Sequence, residues 1–177
     1  PALEKDPLID QLKNLGVEHL MVNATSPEDW NAVAELADEV PEVIPSFGIH
    51  PWKVEKAAPG WQDRLCQLFD QFPQACLGEV GLDRWIRDHD LPRQREILLE
   101  QLALAEQYTR PVTVHCLQAW GRLLKCMQES VFSGPFLLHS YGGPEEMVRE
   151  WVEMGAYFSI SGYFFRPEKA EKLKQSR

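Results

Sequence analysis

The strongest constraint on this chain is its alternation. Short apolar runs and longer segments of helical period follow one another along the sequence. Apolar runs at 17–22, 43–51, 75–82, 111–116, 135–140 and 157–161 read as strands, and Pro45 weakens the second of them. Between them, "SPEDWNAVAELADEV", "WQDRLCQLFDQF", "RQREILLEQLALAEQY", "AWGRLLKCMQES" and "PEEMVREWVEM" read as helices. A first helix is expected from Asp6 as N-cap and Pro7 at N1, with Leu8, Leu12 and Leu15 on one face and Gly16 at its end. The tail "RPEKAEKLKQ" begins another. About six strands alternating with about seven helices argue for an α/β fold with a parallel sheet covered by helices. Two architectures fit. A doubly wound sheet suits 177 residues, whereas a (β/α)8 barrel needs eight strands and typically about 250 residues.

Composition permits a core without pointing to a partner. Apolar residues make up 44% and charged residues 25%, and the net charge is −9. With no long basic run, electrostatics alone would not bind nucleic acid. An anionic substrate needs local help from a metal or a few arginines. Cys66, Cys76, Cys116 and Cys126 show no C-x-x-C pairing and read as free thiols of a reducing cytoplasm. No signal peptide, membrane-length apolar run, repeat or linker stands out, so one domain over 1–177 is expected. The chain opens at Pro1 rather than Met, as in a chain processed or cut from a longer one.

The ionisable residues inside the strands are the functional signal. His50 ends "FGIH", Glu79 sits in "LGEVG", His115 ends "VTVH" and His139 ends "FLLH", in steps of 29, 36 and 24 residues. Each step is about one βα unit, and in a parallel sheet strand C-termini share one face, where α/β folds build their sites. These four side chains should converge. Glu79, His115 and His139 are a donor set for a divalent ion such as Zn²⁺ or Mn²⁺, which would offset the charge of a buried Glu79. Any one strand histidine could instead be a packed core residue. His19, mid-strand and without such company, is expected in packing, and His89 in a solvated loop. Arg84 and Arg87 could meet a phosphate or only solvent. Trp52 could stack on a base or pack over the sheet end. Cys116, next to His115, should face the opposite side of its strand.

"FGIHPW", "LGEVGLD", "RPVTVHC", "LLHSYGG" and "FSISG", in this order, resemble the TatD family of metal-dependent deoxyribonucleases over nearly the whole chain. The resemblance implies a barrel of the amidohydrolase type, hydrolysis of phosphodiester bonds in DNA, and a pair of divalent ions such as Mg²⁺, Mn²⁺ or Zn²⁺. It further implies Glu79 as the carboxylate bridging the two ions and as the catalytic acidic residue, His115 and His139 as ligands of the second ion, and His50 as a contact to the substrate phosphate. The family's opening H-x-H strand and closing T-D strand have no counterpart here. That implies a fragment of a longer chain and an incomplete barrel with two unpaired edges. Leu117 stands where many relatives carry Arg. The alternatives are a related hydrolase of a small amide, lactone or phosphoester, and a catalytically incomplete binding fragment. No membrane association or protein partner is expected.

Overall fold

A computed structural model describes residues 5–165 of the chain. The strands are β1 (Leu20–Asn23), β2 (Val43–Phe47), β3 (Cys76–Asp83), β4 (Val112–Leu117), β5 (Phe136–Leu138) and β6 (Ala156–Phe158). The helices are α1 (Lys5–Asn14), α2 (Trp30–Glu39), α3 (Trp61–Gln71), α4 (Leu91–Gln107), α5 (Trp120–Glu129) and α6 (Val148–Glu153), with 3-10 turns at Pro51–Lys56, Glu145–Met147 and Gly162–Phe165. The helix expected in the tail lies outside the described residues.

All six strands run parallel, in the order β1-β2-β3-β4-β5-β6. That order decides between the two architectures. A doubly wound sheet reverses its strand order at a switch point, whereas a barrel adds each new strand to the last. The sheet follows the barrel rule and is open between β1 and β6 among the described residues.

The side-chain alternation follows from burial. Val112, Val114 and Cys116 on β4 and Phe136 and Leu138 on β5 are buried, in one core cluster with Leu68, Phe69, Ile97, Leu98, Leu102, Leu123 and Trp151 of the helices. Each fully buried side chain of this size contributes roughly 1.5–3 kcal/mol. Slipping β4 by one residue would expose three of them, so the register is held. Thr113, His115 and Leu117 then point to the concave face by necessity. Cys116 faces the helices as expected, and burial pushes its thiol up to about 12.

Element ends depart from the sequence reading for local reasons. α1 is already helical at Lys5, so Asp6 and Pro7 lie within its first turn. Gly16 ends the helix at φ +78, where Val17 N–H reaches Leu12 O at 3.0 Å. β1 starts at Leu20, which leaves His19 outside the strand and exposed rather than packed. Helix α2 starts at Trp30, not after Ser26, because the Asp29 carboxylate turns back to the Thr25 and Ser26 amides. α4 starts earlier than expected, with Asp90 as N-cap accepting from Arg93 N–H at 2.9 Å. The "PEEMVREWVEM" helix divides into a 3-10 turn and α6. β2 keeps Pro45 inside it, because the ladder to β3 starts only at Ser46. It stops at Phe47, so His50 belongs to the following loop.

Candidate metal centre

Glu79 enters the concave face through an irregularity. The β3–β4 register shifts between Leu77 and Val80. The flanking glycines are there because β4 runs too close for a side chain. A Cβ on Gly81 (φ +147) would lie 1.9 Å from His115 O, and one on Gly78 (φ +158) would lie 2.8 Å from Thr113 Cβ.

Nδ1 of His115 faces Glu79 Oε1 at 3.5 Å. Its Nε2 lies 2.8 Å from Asp83 Oδ2. Asp83 is fully buried. Besides His115, its carboxylate accepts from Trp52 Nε1 at 2.8 Å, Trp85 N at 2.7 Å and Ile86 N at 3.2 Å. Burial works against ionisation of Asp83, but these donors outweigh it and hold its pKa below the usual carboxylate value. Burial likewise opposes the charge on Glu79, and the imidazoles of His115, His139 and His50 reverse the sign and lower its pKa. For His115, burial disfavours protonation while Glu79 and Asp83 raise the pKa more strongly. His50 goes the other way. Burial and the neighbouring His115 bring it down to about 4, so its ring is neutral at pH 7.

His50 is held by three clamps from other elements. Its N–H donates to Thr25 O at 2.8 Å. Gln101 on α4 brackets the preceding peptide, accepting from Ile49 N at 2.6 Å and donating to Ile49 O at 3.3 Å. Trp30 Nε1 donates to Gly48 O at 3.0 Å. Gln94 treats Asp83 in the same way, accepting from its N–H at 2.8 Å and donating to its O at 3.0 Å. Two buried side-chain amides on one helix therefore fix the loop after β2 and the end of β3.

Among the described residues, donor atoms of His50, Glu79 and His115 lie within 4.8 Å of one another. The residues suit a divalent ion on one further observation: Glu79 Oε1 is buried without a hydrogen-bond partner, a costly state for a carboxylate oxygen that a cation relieves. His139 is exposed just beyond β5, its ring nitrogens 3.2 Å from Ser140 Oγ and 3.4 Å from Ser159 Oγ. It is outside the tight group, yet near enough to Glu79 to lower that carboxylate's pKa. The group by distance thus holds His50 where the sequence reading holds His139. Leu117 ends β4, partly exposed.

The sequence reading missed Asp83, Gln94 and Gln101 as parts of this centre. A signal existed for the glutamines: they stand seven residues apart on α4, in line with the apolar stripe of Ile97, Leu98 and Leu102. Asp83 closes the quoted "GEVGLD".

Comparison with known proteins agrees with this architecture. The chain is 25% identical over 170 residues to the metal-dependent hydrolase YjjV of Escherichia coli (strain K12), covering 95% of this chain and 66% of that protein. It is 29% identical over 178 residues to the 3'-5' ssDNA/RNA exonuclease TatD of Cronobacter sakazakii, covering 97% and 65%. The chain thus spans about two thirds of the length of the curated relatives it matches. The crystal structure of E. coli YjjV superposes with a TM-score of 0.86 at 24% identity, covering 98% of this chain and 69% of that one. A TatD-family hydrolase of Entamoeba histolytica gives 0.78 at 20% identity, covering 88% and 55%. The family model described as TatD related DNase matches residues 2–176, and the chain belongs to that family.

Proposed function

We propose that this chain carries the ligand core of a divalent-metal-dependent hydrolase that cleaves phosphodiester bonds in DNA, in the cytoplasm. The observation that carries the reading is the orphaned Glu79 Oε1 facing His115 Nδ1 at the sheet's C-terminal end. The names of relatives that act on single-stranded DNA and RNA support the substrate class. The four cysteines are free, and among the described residues no helix is long and apolar enough to cross a membrane.

Hydrogen bonding assigns the donors. With Asp83 accepting at Nε2, neutral His115 carries its proton there and presents a lone pair at Nδ1. His50 Nδ1 already accepts from Trp52 N–H at 3.1 Å, so the neutral ring carries its proton on Nε2 and is a donor there. This supports Glu79 and His115 as metal ligands and His50 as a hydrogen-bond donor to a phosphate oxygen, although His50 is the nearer by distance. His139, whose ring nitrogens face only the hydroxyls of Ser140 and Ser159 among the described residues, is the third ligand of this proposal. A bound divalent ion supplies a water of lowered pKa and offsets charge on the phosphoryl oxygens. Glu79 provides the negative charge that retains the ion. Asp83 keeps the His115 ring oriented. His50, neutral through the physiological range, positions the phosphate without repelling the ion.

The test is cleavage of a labelled single-stranded oligonucleotide by the full chain with Mn²⁺, Mg²⁺ or Zn²⁺, beside Glu79→Gln. The reading expects a loss of at least about 100-fold in the variant. Cleavage undiminished by Glu79→Gln contradicts it.

A further inference from the structure

The surface next to His50 and Asp83 carries a feature that the metal centre does not use. A cleft of about 640 Å³ is lined by Trp52, Lys53, Trp85, Ile86 and Arg87. Trp52 is 45% exposed and Trp85 64% exposed. Two indoles left this open forgo burial that a core would have given them, which marks a contact surface. The Trp52 ring is held in place and the Trp85 backbone is anchored beside it, with the Trp85 ring left free to meet a ligand. The buried Asp83 carboxylate binds Trp52 through its indole N–H at 2.8 Å and Trp85 through its backbone N–H at 2.7 Å. The same carboxylate holds His115. One group therefore sets the position of the cleft relative to the ligand residues.

The charge of the cleft is opposite to that of the chain. The chain carries −9, yet the lining holds two cations and no acid. Among the described residues neither Lys53 nor Arg87 forms an ion pair. The same loop carries exposed Arg84 and exposed Asp88 outside this lining, so the excess of cations belongs to the cleft itself. Indole faces interleaved with unpaired cations, beside residues suited to a phosphate, match the chemistry of unpaired nucleotides: bases stack and the backbone is neutralised. A duplex buries its base faces and offers nothing to the indoles.

We propose that the Trp52–Trp85 cleft is a stacking subsite for an unpaired nucleobase of single-stranded nucleic acid, with Lys53 and Arg87 on the adjoining backbone phosphates. The proposal deepens the function proposed above and rests on it for the placement of the scissile phosphate. The Trp52 ring lies 5.2 Å from that of His50, so a base seated on it brings the adjoining phosphate toward His50 and the cleft selects single strands.

The experiment is fluorescence anisotropy with the full chain and two labelled probes: a tetrathymidylate, and the same sugar-phosphate chain without bases. Both are measured in EDTA, so that binding is read apart from cleavage. The subsite predicts about tenfold tighter binding of the base-bearing probe. Trp85→Ala should abolish that difference, and Trp85→Phe, which keeps a ring, should retain most of it. Equal affinity for both probes, absence of binding to either, or an undiminished difference in Trp85→Ala overturns the subsite. Oligonucleotide cleavage with Mn²⁺ is scored separately. Cleavage without base-dependent binding sinks the subsite and leaves the function. Base-dependent binding without cleavage does the reverse.

Discussion

His115 Nε2 and Asp83 Oδ2 lie 2.8 Å apart, and this contact organises the candidate centre. It fixes the imidazole proton on the side away from Glu79 and leaves Nδ1 free to face that carboxylate. Asp83→Asn removes the charge and lets the ring change tautomer. Loss of such an outer partner typically costs 10- to 100-fold in metal affinity. Titration calorimetry with Mn²⁺ at pH 7 should show a loss of about that size, and unchanged affinity would place Asp83 outside the centre.

The two candidate third ligands separate by mutation. With His50 Nδ1 engaged by the Trp52 amide, His50→Ala is expected to change Mn²⁺ affinity less than about threefold while weakening the binding of inorganic phosphate. His139→Ala is expected to weaken Mn²⁺ by about tenfold or more. The opposite pattern would make His50 the ligand, as its distance to Glu79 and His115 allows.

The glutamine clamps make a stability prediction. Gln101→Leu orphans both the N–H and the C=O of buried Ile49. Each orphaned group costs about 1–3 kcal/mol, so urea unfolding should show a loss of at least about 2 kcal/mol. A loss under about 0.5 kcal/mol would mean that water replaces the clamp.

Stability of the metal-free protein should depend on pH with opposite signs on either side of about 6.5. His50 is depressed to about 4 in the folded state. Below about 6.5 the unfolded chain binds its proton first, so stability falls as pH drops from there toward 4. The loss is about 2 kcal/mol after discounting the full shift for the ring's partial exposure. His115 is raised, so its contribution is complete below about 6.5 and is lost as pH climbs through its folded value. Glu79 and Asp83 are lowered, and theirs is lost only in stronger acid, below the ordinary carboxylate range of about 4. Denaturation curves in EDTA should flatten between pH 4 and 6.5 in His50→Gln. An unchanged slope there would remove His50 as its source.

The alternation of apolar and helical segments made the parallel α/β architecture legible, because burial on the helix side leaves one workable register per strand. The choice of barrel over doubly wound sheet was not legible from spacing, since both use the same βα units; strand order decided it. His115 and Cys116 were readable because period-two alternation assigns their faces, whereas Glu79 was readable only as an acid near a strand end, since the register shift between Leu77 and Val80 breaks the alternation around it. His50 was readable as polar, but its loop and tautomer depend on Trp52, Thr25 and Gln101, contacts that span up to 52 residues. Asp83 looked like the end of a motif, and its four partners exist only once β3, β4 and the following loop are assembled.

The central claim is that Glu79 faces a divalent ion. Electron paramagnetic resonance of Mn²⁺ titrated into the full chain reads this directly, because bound ion leaves the free-ion spectrum. The account predicts at least one bound Mn²⁺ per chain, with affinity reduced about 100-fold or more in Glu79→Gln. Equal Mn²⁺ binding by the intact chain and by Glu79→Gln would contradict it.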